Sequence, residues 1–162
     1  FIINKCGKLE HKYQAAAIVS YKKIKEVTTV LYPNVNSTLI KLSKIGLKLG
    51  VVTDAPSREA WIRLYSLNLH HLFDSVVAYD DTGERKPSSK PFKKISDLLN
   101  VPPTNILMVG DWPDRDIIGA KKLNMKTCFA KYGDMFGTTE SGADFDLNDI
   151  SEILSIIDLQ NK

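Results

Sequence analysis

A chain of 162 residues, of which 43% are hydrophobic and 25% charged, is long enough to bury a core without disulfide bonds or metal ions and has the composition of a globular domain. Its formal net charge of +3 does not favour binding to nucleic acid or to a membrane surface, and no run of about 18 apolar residues indicates a membrane span. Cys6 and Cys128 lie far apart without metal-ligand spacing, so we interpret them as free thiols of a reducing compartment, and in the absence of a signal-peptide pattern we expect the cytoplasm.

The first half of the chain predicts helices that alternate with short extended segments. The predicted order is helix, extended connector, helix, strand, helix and strand, over residues 11–25, 27–33, 35–45, 49–53, 56–67 and 74–79. Asn34 or Asn36 can cap the second helix, and Gly46 stands where that helix is expected to end. One face of this helix is predicted to be apolar, with Val35, Leu39, Leu42 and Ile45.

The second half continues the alternation after a polar loop over residues 80–89. A helix follows whose inward face is predicted to carry Phe92, Ile95, Leu98 and Leu99. The remaining elements are a strand, a helix, a strand and a final helix, over residues 106–109, 114–123, 126–130 and 150–157. Strands that alternate with helices of this length predict an α/β fold, in which helices cover both faces of a parallel sheet.

The most informative segment is an apolar run that ends in Gly110-Asp111 and is followed by Asp116. A buried strand would bring Asp111 to the carboxyl edge of the parallel sheet, where open α/β folds bind their ligands. Two carboxylates in one polar pocket suit Mg²⁺, which takes oxygen ligands and usually shares them with a phosphate. The alternative is a strand and a tight turn with no ligand, in which Asp116 only caps a helix or faces solvent.

Thr53 and Lys86 are the other polar candidates. Thr53 ends the strand over residues 49–53, where its hydroxyl and the backbone N–H groups that open the next helix can bind an anion. Alternatively, Thr53 only turns the chain or caps that helix. Lys86 directly precedes Pro87, which favours an extended backbone at Lys86 and lets its ammonium reach inward towards carboxylates and phosphate. The alternative is a solvated lysine ahead of a helix.

In this order and context, the candidates give the sequence a resemblance to the haloacid dehalogenase superfamily of hydrolases. Three of the family's motifs are a strand that ends in Thr or Ser, a Lys-Pro loop, and a Gly-Asp pair with a second Asp. They are represented here by Thr53, by Lys86 with Pro87, and by Asp111 with Asp116. The resemblance runs from about Val27 to the end of the chain and implies the Rossmann-like α/β core of this superfamily.

The resemblance implies phosphoryl transfer from a small phosphorylated substrate to an aspartate and then to water, with Mg²⁺ as the cofactor. Asp111 would hold the cation, and Asp116 would bind it directly or through water, or would orient Asp111 and Lys86. Thr53 would donate to a phosphoryl oxygen together with the backbone N–H of Asp54, and Lys86 would stabilise the nucleophile and the transferring group. The acidic metal position favours a phosphatase over a 2-haloacid dehalogenase, which needs no cation.

The family's first motif has no counterpart in the sequence. Members begin with an apolar strand that ends in Asp-x-Asp and supplies the nucleophile, whereas the first Asp here is Asp54. The helix His11–Lys25 resembles the last helix of a small helical cap, so residues 1–26 are interpreted as the remnant of a cap and residues 27–162 as the core. The chain begins with Phe1, and we expect about sixty or more residues to precede it, because the missing strand and cap helices need that length.

The missing strand would lie centrally in the family's sheet, between the strands that end at Thr53 and Asp111. We therefore expect either that a preceding segment or a partner supplies it, or that the sheet closes up and the site is rearranged. Without the nucleophile, the chain is expected to be inactive alone. Two other functions stay open: a non-catalytic module that binds phosphate or Mg²⁺, and an interaction protein whose strand edges accept a strand from a partner.

Overall fold

The computed structural model describes residues 11–160 and separates the chain into two compact units, Phe1–Val30 and Leu31–Lys162. The described part of the first unit is helix α1, His11–Thr28. The predictions that concern Cys6 and the residues preceding Phe1 lie outside the described part of the chain. Among the helices that the structure describes, none is long and apolar enough to cross a membrane.

The second unit alternates short parallel strands with helices. Its helices are α2 (Val35–Lys44), α3 (Ser57–Ser66), α4 (Tyr79–Thr82), α5 (Ser89–Leu99), α6 (Ile118–Lys121) and α7 (Ile153–Gln160). Its strands are β1 (Gly50–Val52), β2 (Ser75–Val77), β3 (Leu107–Gly110), β4 (Lys126–Ala130) and β5 (Phe145–Leu147). A π-helical turn, Pro113–Ile117, leads into α6, and 3₁₀ turns occupy Pro103–Asn105, Lys131–Gly133 and Ile150–Glu152.

The strands form two parallel sheets, which confirms the predicted α/β class. β1 pairs with β2, and β4 lies between β3 and β5. In the described residues no strand joins β1 to β3, so the predicted sheet is divided at the position where the family's first strand was expected. The sheet therefore does not close up.

The backbone hydrogen bonds show which strand edges are open. The N–H of Thr53 donates to Val77 O at 2.9 Å, and Leu49 O accepts from the N–H of Asp74, so the odd-numbered residues of β1 face β2. Because backbone groups along a strand point alternately to either side, Gly50 and Val52 present theirs to the opposite edge. By the same reasoning Ile106 O, which accepts from Lys126, faces β4, and the alternate residues of β3 face away from it.

This division of the sheet leaves apolar strands incompletely covered. Every residue of β3 is only half-buried, and Val51 and Val52 of β1 are half-buried as well. In β4, by contrast, the residues from Thr127 to Ala130 are all buried. A parallel strand with helices over both faces is normally buried throughout, so β1 and β3 have lost cover on the side where no strand pairs.

Helix α5 packs against both sheets and holds them together. Its Ile95 and Leu99 lie in a buried cluster with Val77 of β2, whereas its Phe92 lies in a second cluster with Ala120 and Met125 beside β3 and β4. Phe92 is fully buried, and it lies so close to Gly119 that a Cβ on this glycine would be 2.6 Å from Phe92 Cζ and would also clash with Cε2. A third cluster joins α2 to β4, β5 and α7 through Leu42, Cys128, Leu147 and Ile153.

Several local predictions were wrong in detail. Ile45 and Leu98 were expected on inward helix faces but are 59% and 50% exposed, because no neighbouring element covers those ends of the faces. Asn34 precedes α2 without capping it, since its side chain donates instead to Asp149 at 3.0 and 3.1 Å. The helix expected over residues 114–123 begins as the π-helical turn. Gly46 does end its helix, with φ of +85°.

Candidate active site

The predicted site residues gather where β1 and β3 end. Thr53 and Asp54 directly follow β1, and Asp111 directly follows β3. Lys86 lies in the loop between α4 and α5, and Asp116 lies in the π-helical turn. Lys86 joins the ends of the two sheets through its contacts with Val52, Asp54 and Asp116. The catalytic, substrate-binding and metal-binding roles that the sequence assigns to these residues stay predictions.

Lys86 bridges the two sheets. Its Nζ donates to Val52 O at 3.2 Å, on the edge of β1 that faces away from β2, and lies 2.6 Å from Asp116 Oδ1. Its peptide bond to Pro87 is cis. The lysine side chain is largely buried, so its ammonium is fixed between strand ends instead of being solvated. The alternative of a solvated lysine is therefore wrong.

Asp116 is held on both of its carboxylate oxygens. Oδ1 pairs with Lys86, and Oδ2 accepts from the backbone N–H of Trp112 at 3.2 Å. The residue is only 3% exposed, so the alternative of a surface aspartate is also wrong. Its side chain packs directly on Gly110, where a Cβ would lie 2.5 Å from Asp116 Cβ. Glycine before Asp111 is thus required by close packing.

Asp111 lies among charges of both signs. Burial raises the pKa of its carboxyl group, its own backbone N–H lowers it, the carboxylates of Asp116 and Asp134 raise it further, and the ammonium of Lys86 lowers it. The 3₁₀ turn after β4 borders it on another side, since a Cβ on Gly133 would be 3.1 Å from Asp111 Oδ2. The Asp111 residue still reaches solvent, and a carboxylate whose charged form is disfavoured by its surroundings is well suited to a cation.

The donors present fit Mg²⁺ better than a softer metal. Within residues 11–160 no group of three or more His, Cys, Asp or Glu side chains is arranged as a metal cluster. Mg²⁺ does not require such a cluster, because it keeps several waters and is usually bound through one or two carboxylates and a substrate phosphate. Two carboxylates, those of Asp116 and Asp134, act on Asp111 together with the single ammonium of Lys86.

Thr53 makes a local hydrogen bond in this structure. Its Oγ1 accepts from the backbone N–H of Ala55 at 3.2 Å, as expected of a residue that turns the chain. Accepting this bond does not use the hydroxyl proton, which can still be donated to an anion. Both interpretations of Thr53 are thus compatible with the geometry.

Sequence reasoning missed the side chains of Asp54 and Arg115. Only the backbone N–H of Asp54 was assigned a role, yet its carboxylate accepts from Lys86 N at 2.9 Å and from Arg115 Nη1 at 3.2 Å. The Arg115 guanidinium lies 3.8 Å over the ring of Trp112. The sequence signal that could have identified Arg115 is its position immediately before the candidate residue Asp116.

An aromatic pair beside Asp111 was also missed. The rings of Trp112 and Phe136 lie 4.8 Å apart, and Phe136 is 61% exposed. Asp134 orders the loop that presents Phe136 by accepting from the N–H of Phe136 at 2.9 Å and of Thr138 at 2.6 Å. These bonds lower the pKa of the Asp134 carboxyl group. The site is therefore bordered by an apolar surface next to its charged residues.

The chain is similar to known hydrolases. Residues 2–130 match the family model described as haloacid dehalogenase-like hydrolase. A glyceraldehyde 3-phosphate phosphatase of Pyrococcus furiosus is 32% identical over 153 residues, which are 93% of this chain and 64% of that protein. A phosphoglycolate phosphatase of Psychrobacter arcticus is 35% identical over 118 residues, covering 73% of this chain and 51% of the relative.

A solved structure extends the likeness in fold over nearly the whole chain. The crystal structure of a putative beta-phosphoglucomutase from Thermotoga maritima superposes with a TM-score of 0.81 at 22% identity. The superposition covers 98% of this chain and 75% of that one. The chain thus spans only part of the length of each of these three proteins.

Proposed function

The chain belongs to the haloacid dehalogenase-like hydrolases, and we propose that it is the larger part of a cytoplasmic Mg²⁺-dependent phosphatase that acts on small phosphomonoesters. The observation that carries this proposal is the position of Lys86, whose ammonium lies between Val52 O and Asp116 Oδ1 at the ends of two sheets. A fixed cation next to Asp111 is placed to stabilise a transferring phosphoryl group. The names of the two relatives, which act on glyceraldehyde 3-phosphate and phosphoglycolate, support a small phosphorylated substrate.

We assign Asp111 as the residue that would hold Mg²⁺. When bound, the cation would offset charge on the phosphoryl oxygens. Asp116 is the weaker candidate as a ligand, because Oδ1 is already ion-paired with the ammonium of Lys86 and Oδ2 already accepts from the N–H of Trp112. We infer that Asp116 acts by holding Lys86 in place.

Thr53 and Asp54 would receive the phosphoryl oxygens. The Thr53 hydroxyl proton and the backbone N–H of Asp54 lie at the end of β1, on the side of the molecule where Lys86 and Asp111 are placed. Donors fixed in this way bind an anion without reorganising during the reaction. Neither the Thr53 hydroxyl nor the backbone N–H of Asp54 can serve as the carboxylate nucleophile.

We propose that the nucleophile comes from an extended segment seated between β1 and β3. Gly50 and Val52 on one side, and Leu107 and Val109 on the other, have backbone groups directed away from their paired strands. A parallel strand ending in Asp-x-Asp would form hydrogen bonds with these backbone groups and bring its first carboxylate close to Lys86. We further propose that residues 1–26 are the remnant of a helical cap and residues 27–162 the core.

The proposal is tested by phosphate release from an aryl phosphate, with and without Mg²⁺. The chain alone should show little turnover, whereas the protein that also contains the Asp-x-Asp strand should turn over in a Mg²⁺-dependent manner. Asp111→Asn should abolish turnover in the longer protein. Mg²⁺-dependent turnover by the chain alone would contradict the assigned nucleophile, and metal-independent halide release from a 2-haloacid would redirect the assignment to a dehalogenase.

A further inference from the structure

One carboxylate connects three loops of the candidate site. Asp54, which follows β1, accepts from the backbone N–H of Lys86 with Oδ1 at 2.9 Å and from Arg115 Nη1 with Oδ2 at 3.2 Å. Lys86 belongs to the loop before α5, and Arg115 belongs to the turn after β3. The Asp54 side chain is largely buried, and its ion pair with Arg115 is correspondingly less screened than a surface pair.

The contacts continue from residue to residue until they form a closed ring. The Arg115 guanidinium covers the Trp112 ring at 3.8 Å, and the N–H of Trp112 donates to Asp116 Oδ2 at 3.2 Å. Asp116 Oδ1 in turn pairs with Lys86 Nζ, and the backbone of Lys86 returns the ring to Asp54. Asp111 directly precedes Trp112, so the ring includes the neighbour of the proposed metal ligand.

The ring explains how a flexible side chain can be fixed. A lysine loses considerable rotamer freedom when it is ordered, so a lysine that acts at one point needs restraint at more than one place. Lys86 is restrained at its backbone by Asp54 and at its ammonium by Asp116. Arg115 pairs with the Asp54 carboxylate, and this pairing matters because an unpaired carboxylate next to Thr53 would repel an anion bound there.

We propose that Asp54 is a positioning residue that acts through Lys86, and that Arg115 keeps it in place and neutralises its charge. This inference rests on the proposed phosphatase function. It assigns the side chain of Asp54 a role separate from that of its backbone N–H.

The kinetic test uses the longer protein that contains the Asp-x-Asp strand. Asp54→Ala should lower kcat by about 10- to 100-fold with a smaller change in KM, since it displaces a group that acts in the transition state. Asp54→Asn, which keeps an acceptor for the Lys86 N–H and loses the ion pair, should give an intermediate kcat. In a Lys86→Met background, Asp54→Ala should lower kcat no further.

Asp74 provides a matched control. It also accepts from a backbone N–H, that of Leu49 at 2.7 Å, but at the opposite end of β1. Asp74→Ala should therefore lower stability and leave kcat unchanged. Equal losses of kcat in Asp54→Ala and Asp74→Ala, or the same loss in the Lys86→Met background as in the wild type, would overturn the proposal.

A structural readout on the chain itself separates this inference from the proposed function. The sequence has two tryptophans, so a Trp61→Phe background leaves Trp112 as the sole reporter of the ring. Asp54→Ala should increase acrylamide quenching of Trp112 by releasing Arg115 from its position over the indole, and Asp74→Ala should not. An inactive longer protein would refute the phosphatase assignment alone, whereas unchanged quenching in Asp54→Ala would refute the ring.

Discussion

Replacing Lys86 by Met should destabilise the protein strongly. This change keeps most of the side chain's bulk but removes the ammonium that lies 2.6 Å from Asp116 Oδ1. Asp116 is 3% exposed, so its carboxylate would stay in place as a buried charge without its counter-ion. Removing one partner of a buried ion pair costs about 3–5 kcal/mol, which is a large part of the stability of about 5–15 kcal/mol expected for a domain.

The chain contains a matched ion pair at the surface. Lys90 Nζ lies 3.2 Å from Glu84 Oε1, and the two side chains are 59% and 48% exposed. Because solvent screens such a pair, Lys90→Met should destabilise the protein far less than Lys86→Met. Lys86 lies in the loop before α5 and Lys90 in the first turn of α5, so the comparison is between a buried and an exposed ion pair of neighbouring lysines.

The assay is urea denaturation followed by circular dichroism, applied to Lys86→Met, Asp116→Asn and the double variant. Lys86 also donates to Val52 O at 3.2 Å, a bond worth about 0.5–1.5 kcal/mol, and the double-mutant cycle separates this contribution from the ion pair. The double variant should be more stable than the sum of the two single losses predicts. The reasoning is refuted if Lys86→Met costs no more than Lys90→Met.

Three further predictions concern single side chains. Because burial raises the pKa of Asp111, ionisation of this group destabilises the native state. Without metal, the thermal midpoint of Asp111→Asn should therefore increasingly exceed that of the wild type as the pH rises above the ordinary carboxyl range. Equal midpoints at all pH values would contradict this. Gly110→Ala should cost about 1–3 kcal/mol in urea denaturation, because its Cβ would lie 2.5 Å from Asp116 Cβ, and an unchanged midpoint would show that the turn adapts freely. Burial raises the pKa of the Cys128 thiol to about 12. In a Cys6→Ser background, the native protein should therefore not react with a disulfide reagent at pH 8, whereas the urea-unfolded protein should react. Rapid reaction of the native protein would show that the core opens.

The order of elements was predictable from the sequence because periodicity and chain-breaking residues are local signals. Gly46 ends α2 with positive φ, as a glycine after an apolar helical stripe predicts. The exposure of Leu98 was not predictable in this way. It lies beside the buried Leu99 at the end of α5, and only the position of neighbouring elements decides which of two adjacent leucines is covered.

The candidate site was predictable only as far as polar residues at strand ends reveal it. Thr53, Lys86 and Asp111 could be selected because each follows a strand or precedes a proline, and the structure places them at the same ends of β1 and β3. The pairing of Asp54 with Arg115 joins residues 61 positions apart, and no local pattern predicts it. An acidic side chain in a turn can also face solvent, so only the structure shows which partner it has.

The division of the sheet connects stability with catalysis. Helix α5 packs its Ile95 and Leu99 against one sheet and its Phe92 beside the other, so the two sheets can keep their arrangement while β1 and β3 remain half-buried. A strand seated between them would cover apolar surface on both sides and form new backbone hydrogen bonds, each worth about 0.5–1.5 kcal/mol. Pairing of this strand would also bring a carboxylate close to Lys86, whose position is already set by Asp54 and Asp116. In the proposed phosphatase, completing the sheet would therefore also complete the active site, because the energy of strand pairing would order the proposed nucleophile against a lysine that is already fixed.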